Sequence, residues 1–150
     1  MLHRLFALPL IAVLVAAVPA LGQRGYAGDW NLVVDNTTGR IPGLGPSAQL
    51  IIDILDDVVT VRKFDGDAES YRPGVATPLD GGRTGTLRVS DTALTVTTTQ
   101  WSSGDVMSVV SDEYMLVGND LVVTRTLRVE RGGVPVDTPQ NRWQARYIRQ

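Results

Sequence analysis

The hydrophobic pattern of the chain has a period of two residues over most of its length after residue 23. It is clearest around Asp56-Asp57, where apolar side chains alternate on both sides of a turn. A two-residue turn at these aspartates places Ile54 opposite Val59, so that the apolar side chains of both runs share one face. Alternation with matched apolar pairs is typical of an antiparallel β-hairpin in a defined register.

Later turns repeat this arrangement. Asp91-Thr92 places Val89 opposite Leu94, and Gly118-Asn119 joins two longer apolar runs. A connection around Gly104 holds either two or three residues, and three residues would give the more apolar inner face, with Leu94 directed inward. About nine strands are predicted in this way, at residues 30–35, 49–55, 58–63, 71–79, 87–89, 94–101, 106–116, 121–130 and 142–149.

The pattern contains no convincing helix, so we predict an all-β protein built as an antiparallel up-and-down meander. A sandwich and an up-and-down barrel both fit such a series of short strands. An outer-membrane barrel fits less well, because the outward positions carry charges and girdles of aromatic residues are missing. Residues 36–48, which are rich in glycine and proline, are predicted to form a long loop, and residues 64–70 an acidic loop.

The first 22 residues differ from the rest and are typical of a secretion signal. A short basic start ends at Arg4, residues 5–18 are apolar and uncharged, and Pro19-Ala20-Leu21-Gly22 offers small residues for cleavage before Gln23. An uncleaved N-terminal anchor is the alternative. We therefore expect a signal peptide at 1–22 and a single domain at 23–150. That domain would be secreted or periplasmic, with no membrane span in its mature form.

Composition narrows the possible chemistry. The chain has no cysteine, and its one histidine is His3, inside the predicted signal. A Ser-His-Asp triad, a thiolate nucleophile and the usual zinc sites are therefore not available to the predicted domain. Without Arg4 the chain carries 13 basic and 16 acidic residues, scattered along its length, so no nucleic-acid partner is expected. We expect no enzyme activity, no cofactor and no bound metal.

The Gly118-Asn119 turn brings one charged pair onto the inner face of the sheet. It places Asp112 opposite Arg125 and Tyr114 one pairing step away, on a mostly apolar face. In one interpretation Arg125 binds the anionic head group of a ligand while aliphatic side chains hold its tail. In the other, the ion pair satisfies itself and closes the core, because a buried pair costs less than a single buried charge.

Two acidic clusters are weaker candidates. Residues 65–69 contain three carboxylates and could hold calcium, but they lack the spacing of a calcium loop and are better explained as a solvated hairpin tip. Asp53, Asp56 and Asp57 are typical of turns rather than of a catalytic carboxylate pair.

Several features together resemble the lipocalin-like (calycin-type) secreted bacterial domains. They are Gly28-Asp29-Trp30 after a signal sequence, the long loop at 36–48, the series of hairpins and the ending Tyr147-Ile148-Arg149. The resemblance implies a meander of about eight to nine strands closed into a barrel, with Trp30 at one end. It also implies that a late arginine, Arg149 or Arg146, stacks across Trp30 and completes the closure with Gly28.

Three functions follow as hypotheses. The leading one is a secreted, non-enzymatic barrel that binds a small apolar or amphipathic ligand inside, through Arg125, Asp112 and Tyr114. The alternative is an envelope protein-interaction or inhibitor module with a filled barrel, acting through loop 36–48 or 64–70. An enzyme acting through carboxylates and tyrosine is the third. Whether the barrel interior is hollow or filled with side chains would distinguish these three hypotheses.

Overall fold

The computed structural model describes residues 24–64, 66–136 and 141–150. The predicted signal peptide and Asp65 lie outside the described residues. Within these residues, eleven strands make up one sheet. In chain order they are Gly28–Arg40 (β1), Gln49–Leu55 (β2), Val58–Lys63 (β3), Ala68–Tyr71 (β4), Thr77–Leu79 (β5), Arg83–Val89 (β6), Ala93–Ser102 (β7), Val106–Val117 (β8), Asp120–Arg131 (β9), Val134–Val136 (β10) and Arg142–Arg149 (β11).

The strands form an antiparallel meander that is closed almost completely into a barrel. The order across the sheet is β4-β3-β2-β1-β11-β9-β8-β7-β6-β5, and β10 pairs with β9 beside this path. β1 pairs with both β2 and β11, which joins the beginning of the barrel to its end. The predicted all-β meander is confirmed, with slightly more strands than predicted.

The hairpin registers predicted from matched apolar residues are also confirmed. Ile54 lies opposite Val59 in β2 and β3, and Val89 lies opposite Leu94 in β6 and β7. Ser102 pairs with Val106, so the connection around Gly104 holds three residues. This connection turns Leu94 and its neighbour Val96 inward, where both are buried.

The predicted loop at 36–48 is wrong over its first part. β1 continues to Arg40, pairing with β11 beyond a bulge between Val33 and Thr38. Gly39 does not end the strand: it has a φ of 77°, and a Cβ there would collide with the Arg142 carbonyl oxygen of β11. Glycine therefore permits a close approach of two backbones. The loop between β1 and β2 is limited to residues 41–48.

The strand predicted at 71–79 is interrupted, and its surroundings differ from the prediction. β4 ends at Tyr71 and β5 starts at Thr77, because Pro73 cannot donate to a ladder and Gly74 has a φ of 75°. The predicted acidic loop at 64–70 ends early, since β4 begins at Ala68.

The segment Val134–Val136 forms the short strand β10, which is not among the strands that the sequence pattern predicts. It pairs with β9 across a turn at Gly132 and Gly133, both of which have a positive φ. A tight β-hairpin turn requires two successive residues with a positive φ, and glycine adopts this conformation readily. The connection between β9 and β10 is therefore a further hairpin turn.

One end of the barrel is closed. The β2–β3, β6–β7 and β8–β9 turns lie there, and the segment 24–26 covers it through a hydrogen bond from the Tyr26 hydroxyl to the Thr92 carbonyl, 3.0 Å long. Trp30, completely buried, lies beneath this cover. The core around it consists of Leu50, Ile52, Val59, Tyr71, Leu87, Leu94, Leu121, Val123, Ala145 and Tyr147. The opposite end is bordered by the loop 41–48 and the β7–β8 connection.

A seam remains between β4 and the β5–β6 hairpin, the two ends of the strand order, which in the described residues are joined by an isolated bridge between Pro73 and Leu87 and not by a ladder. The ring of Tyr71 fills it, so a Cβ on Gly85 of β6 would come within 2.5 Å of the tyrosine Cε1. Glu69 of β4 also reaches across to Arg83 of β6, with 3.0 Å between carboxylate and guanidinium. Side chains thus complete the wall that the backbone leaves open.

Candidate functional site

The open end of the barrel contains two adjoining cavities, of about 350 Å³ and 230 Å³. The larger lies beneath the loop 41–48, and the smaller faces the seam between β4 and β6. Both are bordered by the same central residues, which are Leu44, Lys63, Asp112, Tyr114 and Arg125. The interior is therefore packed at the Trp30 end and hollow at the other.

The Asp112–Arg125 pair forms as the turn register predicts. Arg125 Nε donates to Asp112 Oδ1 at 2.6 Å and Nη2 donates to Oδ2 at 2.5 Å. Both residues are buried, at 6% and 8% exposure. This is the bidentate geometry in which arginine and carboxylate bind most strongly. The remaining face of the guanidinium lies 5.4 Å from the centroid of the Trp143 ring. Asp112 therefore fixes the edge of the Arg125 guanidinium, and the Trp143 ring lies against its face.

Lys63, the last residue of β3, lies on the other side of this pair. Its Nζ is 3.9 Å from Asp112 Oδ2, which is too long for a hydrogen bond. Burial lowers the pKa of Lys63, and the positive charge of Arg125 lowers it further. We did not predict this residue as part of the site. The signal was present, because Lys63 continues the inward alternation of Val59 and Val61.

A second polar group lies at the seam and borders the smaller cavity. The Tyr71 hydroxyl donates to Glu69 Oε2 at 2.6 Å, and the other carboxylate oxygen of Glu69 pairs with Arg83. Burial raises the pKa of Tyr71, and its bond to Glu69 adds to this effect. Sequence reasoning missed the group, because its residues meet only when β4 comes beside β6.

Tyr114 is buried beside the Asp112–Arg125 pair and contributes to the wall of both cavities. Burial raises its pKa well above the ordinary value, and the nearby negative charge of Asp112 acts in the same direction. The phenol is therefore neutral at all moderate pH values. It can contact a ligand as an apolar ring with a hydroxyl, and it cannot serve as an accessible base.

The loop 41–48 is held over the larger cavity by residues of β11. The Trp143 indole N–H donates to the Leu44 carbonyl, and the Tyr147 hydroxyl donates to the Ser47 carbonyl at 2.9 Å. Ile41 is buried at the start of the loop. The cover of the cavity is therefore tied to the strand that also supplies the ring beneath Arg125.

The closed end shows which arginine lies across Trp30. Arg149 places its guanidinium carbon 4.7 Å from the centroid of the Trp30 ring and donates to the Gly25 carbonyl at 2.6 Å. Gly28 lies against this guanidinium and has a φ of 144°, a backbone conformation that favours glycine. Arg146 was the other candidate, and its assignment to the closure is wrong. It faces outward on β11 and pairs with Asp120 of β9 at 2.5 Å, since only every second residue of a strand points inward.

The acidic turn residues occupy the positions expected of them. Asp56 has a φ of 55° in the β2–β3 turn, and Asp57 lies 3.9 Å from Arg72. Within residues 24–64, 66–136 and 141–150, no group of three or more acidic, histidine or cysteine side chains could hold a metal ion. None of the helices in the described part of the chain is long and apolar enough to cross a membrane.

Comparison with known proteins identifies the fold and no family. No protein-family model matches the chain, and no curated protein matches it either. Among solved structures, the chain is similar to the apo form of lipid binding protein 8 of Caenorhabditis elegans. The TM-score is 0.57 at 10% sequence identity, over 85% of this chain and 97% of that chain. The likeness is one of fold and supports a nearly closed antiparallel β-barrel, the architecture that the lipocalin-like resemblance implied.

Proposed function

We propose that this protein binds a small apolar or amphipathic molecule inside the open half of its barrel. The observation that carries the proposal is the pair of cavities around a buried ion pair, next to a fully packed closed end. Their volumes are in the range of small-molecule sites, which combine apolar walls with a few well-placed polar groups. The structural neighbour's name, a lipid binding protein, is consistent with such a ligand.

The walls and the polar centre would have different tasks. Val61, Val96 and Val110 line the smaller cavity and offer an apolar surface for an alkyl or ring system. The polar centre between the cavities, where Lys63 lies beside the Asp112–Arg125 pair, offers a polar contact that fixes a head group. The interaction-module alternative required a filled barrel, and the two cavities therefore support the ligand proposal instead.

We also propose that the barrel is not an enzyme and that it works in an exported compartment. Asp112 is engaged on both oxygens by Arg125, and Tyr114 is neutral and buried, so neither is a free general base. Export rests on the signal-like residues 1–22 alone.

The binding proposal is tested by filling the smaller cavity. Val110→Trp places a large ring into it from β8, whereas Val109→Trp places the same ring on the outer face of the strand, because neighbouring residues point to opposite faces. A fluorescent fatty-acid probe should bind the natural protein with micromolar affinity. It should bind the Val109→Trp variant equally well and the Val110→Trp variant at least tenfold more weakly. Absence of saturable binding to the natural protein at high protein concentration would contradict the proposal.

A further inference from the structure

The charged residues that line the two cavities do not balance. Among the described residues the lining contains three cations and two carboxylates, namely Lys63, Arg83 and Arg125 against Asp112 and Glu69. Glu69 pairs with Arg83, and Asp112 pairs with Arg125 at short, bidentate distances. One positive charge is left over, and it is carried by Lys63.

Arg125 is poorly placed to bind an acidic ligand. The guanidinium edge formed by Nε and Nη2, one of the two edges that match a carboxylate, is occupied by Asp112. One face of its plane is turned toward Trp143. An anion at this edge would have to displace Asp112 and leave that carboxylate buried without its partner, which is strongly unfavourable. An anion on the Nη1 side would meet a guanidinium whose charge Asp112 already offsets.

Lys63 has the opposite properties. Within the part of the chain that the structure describes, its ion-pair contact is the long one to Asp112 at 3.9 Å, on a side chain that is 34% exposed. An ammonium group that has lost part of its water shell gains most from a new anionic partner. Lys63 also borders both cavities, so a head group at its Nζ can direct a tail into the smaller, more apolar one.

We propose that Lys63 binds the acidic head group of the ligand, that the ligand is an amphiphile with a single negative charge, and that its tail lies along Val61, Val96 and Val110. The Asp112–Arg125 pair is then a positioning unit, which keeps the second cation neutralised and away from the ligand. This inference rests on the proposed function, and it names the ligand class and the residue that selects it.

The test compares three ligands with the same alkyl chain and different head groups. Dodecanoate, dodecanol and dodecylamine are titrated into the natural protein by calorimetry at neutral pH. The natural protein should bind dodecanoate about tenfold or more tighter than dodecanol, as expected for a hydrogen bond to a charged group. It should bind dodecylamine most weakly, because the positive charge of Lys63 repels the ammonium group of this ligand.

Variants at Lys63 test whether this residue causes the preference for dodecanoate over dodecanol. Lys63→Met and Lys63→Gln should bind dodecanoate and dodecanol equally, with the dodecanol affinity unchanged, whereas Lys63→Arg should keep the preference. Arg62→Met is the matched control, because it removes the same charge from the neighbouring, outward-facing position of β3. It should retain the full preference for the acid.

A double variant separates Lys63 from Arg125. Asp112→Asn with Arg125→Gln removes the ion pair without changing the net charge of the lining, and it should retain the preference for dodecanoate. If this variant loses the preference while Lys63→Met keeps it, Arg125 binds the head group and the inference is wrong. If all three ligands bind the natural protein equally, the head-group inference fails and the binding proposal stands. If none binds, the proposed function itself fails.

Discussion

The two ends of the barrel use the same pair of residue types for different purposes. At the closed end Arg149 lies over Trp30, and at the open end Arg125 lies over Trp143. Arg149 donates to a backbone carbonyl of the segment that covers the barrel. Arg125 donates to a carboxylate, and the Trp143 N–H holds the loop above the larger cavity.

The difference between the two pairs lies in what the backbone places around them. Above Trp30 the residues 24–26 return across the barrel, and neither Trp30 nor Arg149 lines the cavities. Beside Trp143 the chain spans the end with a loop, which leaves space under it. An arginine stacked on a tryptophan is therefore not by itself a sign of a ligand site, and the surrounding packing decides.

The largest effect is expected at the closed end. Trp30→Ala removes a completely buried ring, and we expect it to lower the free energy of unfolding by about 3–5 kcal/mol, the usual cost of such a deletion. Urea denaturation measures the change. Trp101→Ala is the control, because Trp101 is 67% exposed and its removal should change stability by no more than about 0.5 kcal/mol. Similar losses for both variants would show that the closed end is not the stabilising core.

A comparable effect is expected at the open end when one member of the ion pair is removed. Asp112→Ala leaves the Arg125 charge buried without a partner, and we expect a loss of about 3–5 kcal/mol in urea denaturation. Asp112→Leu combined with Arg125→Met should restore most of this stability, because no charge then remains buried there. A double variant as unstable as the single one would mean that the pair stabilises the barrel itself.

The smallest effect is a dependence of ligand binding on pH. Burial lowers the pKa of Lys63 below its ordinary 10.5, so in the free protein the lysine loses its proton earlier than an exposed lysine does as pH rises. Binding of dodecanoate should therefore be constant from neutral pH upward until this pKa is reached, and it should weaken by at most tenfold per pH unit above it. Dodecanol binding should not change over the same range.

The other charged or titratable groups that line the two cavities with Lys63 are Asp112, Arg125, Glu69, Arg83, Tyr71, Tyr114 and Tyr147. The three tyrosines have a raised pKa, so they stay neutral while the lysine titrates. Lys63→Arg is the control, because a guanidinium keeps its charge, and its dodecanoate affinity should be independent of pH. The same pH dependence in Lys63→Arg and in the natural protein would assign the titration to another group.

Much of the fold could be predicted from the sequence, because hairpins are local. A turn of known length determines which side chains face each other, and so the Gly118-Asn119 turn suffices to place Asp112 opposite Arg125. The same argument failed for β1, whose second half pairs with β11 at the far end of the chain. Gly39 suggested a loop from the sequence alone. The structure shows that glycine is needed there because the backbone of Arg142 lies close to it, and this is a long-range contact.

The residues of the candidate site also divide into those placed by a local hairpin and those placed by long-range contacts. Asp112, Tyr114 and Arg125 lie on one hairpin, and the period of two residues determined that they share an inner face. Lys63 and the Glu69–Arg83 pair come from β3, β4 and β6, whose distance from that hairpin depends on closure of the barrel. The sequence alone therefore determined most of the strands, the registers of their hairpins and one buried pair. Only the tertiary structure decided which end is packed, where the space lies and which cation lacks a close partner among the described residues, because these depend on contacts between strands distant in sequence.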